Sequence, residues 1–239
     1  MRRIPPDRME RLVATATRVF IAQGYRRTQM ADVAAELGVA KGTVYGYVES
    51  KEALLRLCLE RAENPSGGDV AIPLPYPSPR PGQIGDIVRR GIADWRIEPL
   101  AAACEHAAAD DIVTELTGVL FALYDAIETN SVGIKLIEKV GDHPEVFDAW
   151  QTSGRRESRQ VLRHYFELRA GAGQLRAMAN PGLAVRYAIE SLTTWALHIK
   201  WDSLPETYEP AEVRNYVVHQ VASGLLLDHD RKRLEEPSS

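Results

Sequence analysis

Apolar residues recur at helical spacing from the start of the chain. Met9, Leu12, Val13, Ala16, Val19 and Phe20 share one face of a helix predicted from Asp7 to Gln23, which Gly24-Tyr25 ends. Met30, Val33, Ala34 and Leu37 predict a second, short helix with Thr28 as its cap and Gly38 as its left-handed stop. A third helix of about two turns fits Lys41 to Tyr47. It is too short to stand alone in water, so its neighbours must hold it. Its Lys, Thr and two Tyr side chains hydrogen-bond and stack well but fill a core poorly. Ser50 caps a fourth helix with Leu54, Leu57 and Cys58 inside. Two short helices joined at a glycine, the second offering polar side chains, make the pattern of a helix-turn-helix.

The pattern breaks between Asn64 and Gly82, where Pro73, Pro75, Pro77, Pro79 and Pro81 occupy every second position. Proline at that density excludes helix and favours a stiff, extended insertion. Helical spacing then resumes with Ile84, Ile87, Val88, Gly91, Ile92 and Trp95 on one stripe. Pro99 starts an Ala-rich helix to Ala109, and Asp110 caps a longer one with Ile112, Leu116, Val119, Leu120, Leu123 and Ile127 facing inward. Ser131 to Val140 continues it after a break. Asp142-His143-Pro144 opens another that carries Trp150, Val161, Leu162, Tyr165 and Phe166 to Gly171, with Gly154 as a point for a kink. Asn180 and Pro181 begin a helix that is apolar on nearly every side and so needs cover all round. The last helix, Pro210 to about Asp228, has one stripe of Val213, Tyr216, Val217, Gln220 and Gly224 and another of Val218, Ala222, Leu225 and Leu226. Nothing alternates with period two for long enough to make a strand, so the fold class is all-α. The expected domains are 1–63 for the helix-turn-helix, 64–82 for the Pro-rich linker and 83–239 for a helical body.

Composition adds a charge asymmetry. The whole chain is at −4, but residues 1–62 hold 11 Lys and Arg against 7 Asp and Glu, a net of +4, and the remainder nets −8. Basic residues gather where phosphate contact is needed, and an acidic body keeps the other face off nucleic acid. The longest mainly apolar stretch, Leu183 to Ile199, is interrupted by Arg186, Glu190 and His198, so no membrane span is expected. The start, Met1 to Asp7, does not read as a signal peptide. Cys58 and Cys104 fall on inner helix faces, as reduced thiols in a cytoplasm do. No HExxH, GxSxG, P-loop or glycine-rich dinucleotide turn is present, so no enzyme and no cofactor is expected. Cys104, His106, Asp110 and Asp111 lie close together, but their spacing suits metal ligation from one helix poorly.

Residues Arg11 to Arg61 resemble the DNA-binding domain of the tetracycline-repressor (TetR) family of bacterial regulators. The resemblance rests on Val19-Phe20, Gly24-Tyr25, Thr28, Val33-Ala34, Gly38-Val39, Lys41-Gly42-Thr43-Val44-Tyr45 and Ser50-Lys51-Glu52-Ala53-Leu54-Leu55, with no gap. Three positions depart from the usual pattern: Ala40 stands where Ser or Thr precedes the lysine, Gly46 where His or Tyr is common, and Val48 where Phe is usual. The resemblance implies a homodimer with a helical ligand-binding and dimerisation domain, and a small-molecule effector that is apolar or aromatic.

The candidate DNA-binding residues divide by role. Lys41, Gly42 and Thr43 suit base edges, and Thr28, Tyr45, Tyr47 and Lys51 suit phosphates. Tyr45 also reads as core support for the small domain, and Lys51 as a solvated lysine. Trp95, His106, Phe121, Tyr124, Trp150 and Tyr165 are the candidates for a ligand pocket, and also read as core. One two-turn helix reads only a few base pairs, so a palindromic double-stranded operator needs two copies. These are expected to dimerise through helices 181–201 and 210–228, the Ala222-Ser223-Gly224 step allowing close approach. The expected function is a cytoplasmic, ligand-released transcriptional repressor. The alternatives are an activator, or a DNA-binding regulator controlled by a protein partner that docks on the Pro-rich segment.

Overall fold

The computed structural model describes residues 6–63, 73–93, 97–204 and 206–235. Its helices are α1 (Pro6–Gln23), α2 (Met30–Leu37), α3 (Lys41–Tyr45), α4 (Lys51–Glu63), α5 (Gln83–Ala93), α6 (Glu98–Cys104), α7 (Ile112–Thr129), α8 (Ser131–Lys139), α9 (Pro144–Ala149), α10 (Ser158–Gly171), α11 (Pro181–Ala196), α12 (Pro210–Leu225) and α13 (Asp228–Glu235). A π-helical stretch, Trp150–Glu157, joins α9 to α10, and a 3-10 turn, His198–Trp201, follows α11. The chain is all-α. The extended pairings among the described residues are two isolated bridges, Val48 with Tyr76 and Leu175 with Leu226.

Packing divides the chain into two compact units. One comprises Met1–Asp94 and Val132–Gly154, the other Trp95–Ser131 and Arg155–Ser239. The first unit thus gathers α5, α8 and α9 around the N-terminal helices, beyond the 1–63 expected from sequence. Its core takes Leu12, Phe20, Val33, Val44, Leu54, Leu55 and Leu57 from α1 to α4, all at most 2% exposed. Ile84, Ile87 and Val88 of α5 extend that core toward Val146 of α9.

The second unit centres on α7, which packs against α6, α11, α12 and α13. Leu116, Val119, Leu120, Leu162, Tyr165, Phe166, Leu192, Val218 and Ala222 are among its fully buried side chains. Arg169 is buried among them. Its guanidinium donates twice to the Glu115 carboxylate (2.7 and 3.1 Å) and once each to the carbonyls of His106 and Ala103, both at 2.7 Å. These bonds satisfy carbonyls at the end of α6 and leave no uncompensated buried charge.

Several local expectations shift. The cap of α2 is Gln29, whose N–H donates to Asp32 Oδ2 at 2.8 Å, while the Thr28 hydroxyl turns back to the Gly24 carbonyl at 2.7 Å. Asp111 rather than Asp110 caps α7, accepting from the Val113 N–H at 3.0 Å. The helix expected to run from Pro99 to Ala109 stops at Cys104, and the Gln174 side-chain amide takes both the N–H and the carbonyl of Ala109 beyond it (2.8 and 2.7 Å). The expected kink at Gly154 is a change of helical register within the π-helical stretch. Leu183 and Tyr187 of α11 are 63% and 64% exposed, so the helix expected to be covered all round has a bare side in the single chain.

Candidate nucleic-acid interface

Gly38 ends α2 at φ 73°, and the Gly38 and Val39 N–H groups close its last turn on Ala35 and Ala34. That left-handed residue turns the chain at once into α3. Of the five residues of α3 only Val44 is buried. Lys41, Gly42, Thr43 and Tyr45 are exposed, Tyr45 by 42%. A Cβ on Gly42 would meet nothing within 4 Å, so the fold itself does not require glycine there. The Lys41 Nζ lies 6.0 Å from the Tyr45 ring centroid. The face so formed is short and polar, carries one cation and is held from behind by one valine.

The other DNA-contact candidates are placed differently. Thr28 is 1% exposed and Tyr47 8%, so both belong largely to the core of the unit. The Lys51 ammonium donates to the carbonyls of Tyr25 (3.0 Å) and Thr28 (3.1 Å) and lies 4.3 Å from the centre of the Tyr25 ring. These oxygens and the ring offset the cost of a cation in the first turn of α4, as a phosphate was expected to do. Arg26 and Arg27, in the turn before α2, are exposed, and Arg27 Nε donates to the Gln23 carbonyl at 2.9 Å.

Two anchors of this helix pair come from later in the chain. The Asp142 carboxylate, in the turn between α8 and α9, accepts from the Tyr25 N–H (3.0 Å) and the Arg26 N–H (2.8 Å). Gly24 allows this approach: at φ 77°, a Cβ there would stand 3.1 Å from the Lys139 carbonyl. The Tyr25 hydroxyl donates to Glu52 at 2.7 Å, and its ring meets His143 edge-on at 4.8 Å. Burial raises the Tyr25 phenol, while the bond from Tyr25 holds the Glu52 carboxyl below its ordinary value. The second anchor is Tyr76 in the proline-rich segment, 5% exposed and bridged to Val48. Sequence reasoning missed both. Asp142-His143-Pro144 looks like a helix start, and the one available signal for Tyr76 was a lone aromatic among alternating prolines.

The ligand candidates are not one cluster. Trp95 lies outside the described residues, and Trp150 belongs to the first unit. In the second unit Tyr124 and Tyr165 are buried in the core, Tyr165 donating to Glu115 at 3.1 Å. Phe121 is half-buried beneath Arg214, whose guanidinium lies 4.3 Å from the ring centre and is held by Asp125 at 2.5 and 2.6 Å. The Phe121 ring meets His219 edge-on at 6.0 Å. The His106 side chain is exposed.

A glycine-hinged helix pair with an exposed polar second helix, within an N-terminal stretch, 1–62, of net charge +4, makes the arrangement of a helix-turn-helix. Residues 12–58 match the model of the bacterial regulatory proteins of the tetR family. An uncharacterized HTH-type transcriptional regulator of Bacillus subtilis (strain 168), YerO, is 39% identical over 49 residues, which make up 20% of this chain and 17% of that protein. The ketosteroid transcriptional regulator KstR2 of Mycobacterium tuberculosis is similar in structure at a TM-score of 0.55 and 16% identity, covering 95% of this chain and 98% of that one. A tetR-family regulator from Streptomyces coelicolor A3 also reaches 0.55, at 22% identity over 90% of this chain and 91% of its own. At these identities the likeness to the solved structures is one of fold.

Proposed function

We propose that the chain is the protomer of a homodimeric, cytoplasmic repressor that binds a palindromic operator and is released by a small apolar or aromatic molecule. The observation that carries this reading is α3, which commits Val44 to the core and leaves Lys41, Gly42, Thr43 and Tyr45 outward. Lys41 suits guanine, Thr43 a thymine methyl, and Gly42 a close backbone approach. Tyr45 suits a phosphate, and Thr28, Tyr47 and Lys51 serve as the frame behind these contacts. Dimerisation is supported by α11 and α12. Their bare residues Leu183, Tyr187 and Tyr216 lie at helical spacing beside the exposed Gln220 and Gly224. Phe121 and Tyr124, with Arg214 and His219 close by, are the part of the ligand-candidate set that supports an aromatic effector site. The protein-partner reading is disfavoured because Tyr76, the anchor of the proline-rich segment, is already buried in its own unit.

The test is selection of duplexes from a random-sequence pool by the purified protein. A palindromic consensus is expected, and Lys41→Ala should weaken its binding by about 1–3 kcal/mol and relax preference at one base pair of each half-site. Failure to enrich any sequence would overturn the reading.

A further inference from the structure

The recognition helix α3 is five residues long, its N-cap Ala40 offers no side-chain bond, and one residue anchors it to the core. Its attitude on DNA is therefore set by what grips the stretch that follows it, Gly46 to Ser50. The proline-rich segment grips that stretch. The Tyr76 N–H donates to the Tyr47 carbonyl (2.7 Å), and the Glu49 N–H donates to the Tyr76 carbonyl (3.0 Å), a parallel bridge centred on Val48. Two residues on, the Ser78 N–H donates to the Glu49 carboxylate (2.8 Å), and the hydroxyls of Ser50 and Ser78 pair at 2.8 Å.

The segment is in turn fastened to α4. The Tyr76 hydroxyl bonds to the Glu60 carboxylate, the Arg56 guanidinium lies 4.7 Å from the centre of the Tyr76 ring, and Arg56 pairs with Glu60 at 2.9 Å. Pro75, Pro77 and Pro79 hold the backbone extended and offer no N–H to any outside strand, so the grip is stiff and closed to further pairing. We propose that Pro73–Gly82 is a working part of the DNA-reading head, with Tyr76 as the positioning residue that sets the attitude of α3. The proposal rests on the DNA-binding reading above. It adds that operator affinity depends on a segment outside the helix-turn-helix, and that whatever draws this segment off releases the operator.

The test uses the full chain, a duplex selected by the wild-type protein, and hydrogen exchange of the free protein. Tyr76→Ala should weaken duplex binding by about tenfold or more and speed exchange at the amides of Val44 to Glu49, with helical content unchanged. Tyr76→Phe keeps the ring and both backbone bonds and should restore most of the affinity. A milder pair guards against misfolding: Glu49→Gln and Glu49→Ala both remove a negative charge, but only Gln keeps an acceptor for the Ser78 N–H. The Ala variant should bind more weakly than the Gln variant by about threefold to fivefold. Equal affinities within both pairs, with unchanged exchange at Val44 to Glu49, would overturn the proposal. Should the wild type select no duplex, the DNA-binding reading falls, and the exchange data alone decide whether the segment grips α3.

Discussion

His143 is the residue whose chemistry is least at ease in the fold. It is 8% exposed, and its Nδ1 has no hydrogen-bond partner among the described residues. Burial lowers its pKa below the ordinary 6.5, against the opposing pull of Glu145, Glu52 and Asp142 and with a smaller lowering contribution from Lys51. Between those two pKa values the unfolded chain binds the proton and the folded chain does not. The contribution of a neutral His143 is therefore complete above about pH 6.5 and is lost as pH falls below it. The melting temperature should drop between pH 7.5 and pH 5.5, and His143→Phe should flatten that drop. An unchanged slope in the variant would show that other groups carry it. Asp142, its neighbour, holds the Tyr25 and Arg26 amides from the same turn.

Among the elements, α3 is the weakest by construction. Ala40 has the extended backbone of an N-cap (φ −67°, ψ 145°) but no side chain to accept from the first turn. Ala40→Ser should stabilise the helix by about 1 kcal/mol and tighten operator binding, measured as a rise in melting temperature and a fall in Kd. A serine without effect on either would mean that the neighbouring contacts already hold α3 at full order. The contrast with α7 is informative. That helix is capped by the Asp111 side chain and buries Leu116, Val119 and Leu120 completely, so packing and capping agree along its length. The longer helix is held by its own packing, and the shorter one depends on the contacts around it.

For the molecule as a whole, the telling feature is the bare side of α11 and α12. Tyr187 and Tyr216 are 64% and 65% exposed while Val217, Val218, Val221 and Ala222 fill the core behind them. Large apolar groups standing in water on adjacent helices are the surface that the proposed dimer would cover. Tyr216→Glu should leave the helical content of the chain unchanged and convert the native mass from dimer to monomer. Duplex binding should be lost with it, since each protomer offers only one short α3. A dimer that survives the substitution would move the interface elsewhere on the body.

Local chemistry made much of this protein legible in its sequence. Apolar spacing of 3.6 set the long helices, Gly38 and Asn180 marked helix ends through backbone freedom and side-chain acceptance, and the run from Lys41 to Tyr47 stood out for polar side chains that fill a core poorly, although the helix ends at Tyr45 and Tyr47 joins the core. The two stripes on the last helix anticipated one face inward and one outward; the stripe of Val218, Ala222 and Leu225 is buried, and the other is split, with Val217 in the core and Tyr216 exposed. What the sequence could not convey depends on groups brought together from far apart. Asp142 meets the amides of Tyr25 and Arg26 across 117 and 116 positions, and Tyr76 meets Tyr47 through backbone atoms that every residue possesses. Lys51 finds carbonyl oxygens instead of solvent for the same reason: only the closed corner between α1 and α2 presents them. Periodicity reports which face is apolar, because that follows from neighbours along one helix. Which partner a charge or a strand edge meets is decided by the chain's return path, and that exists only once the fold is made.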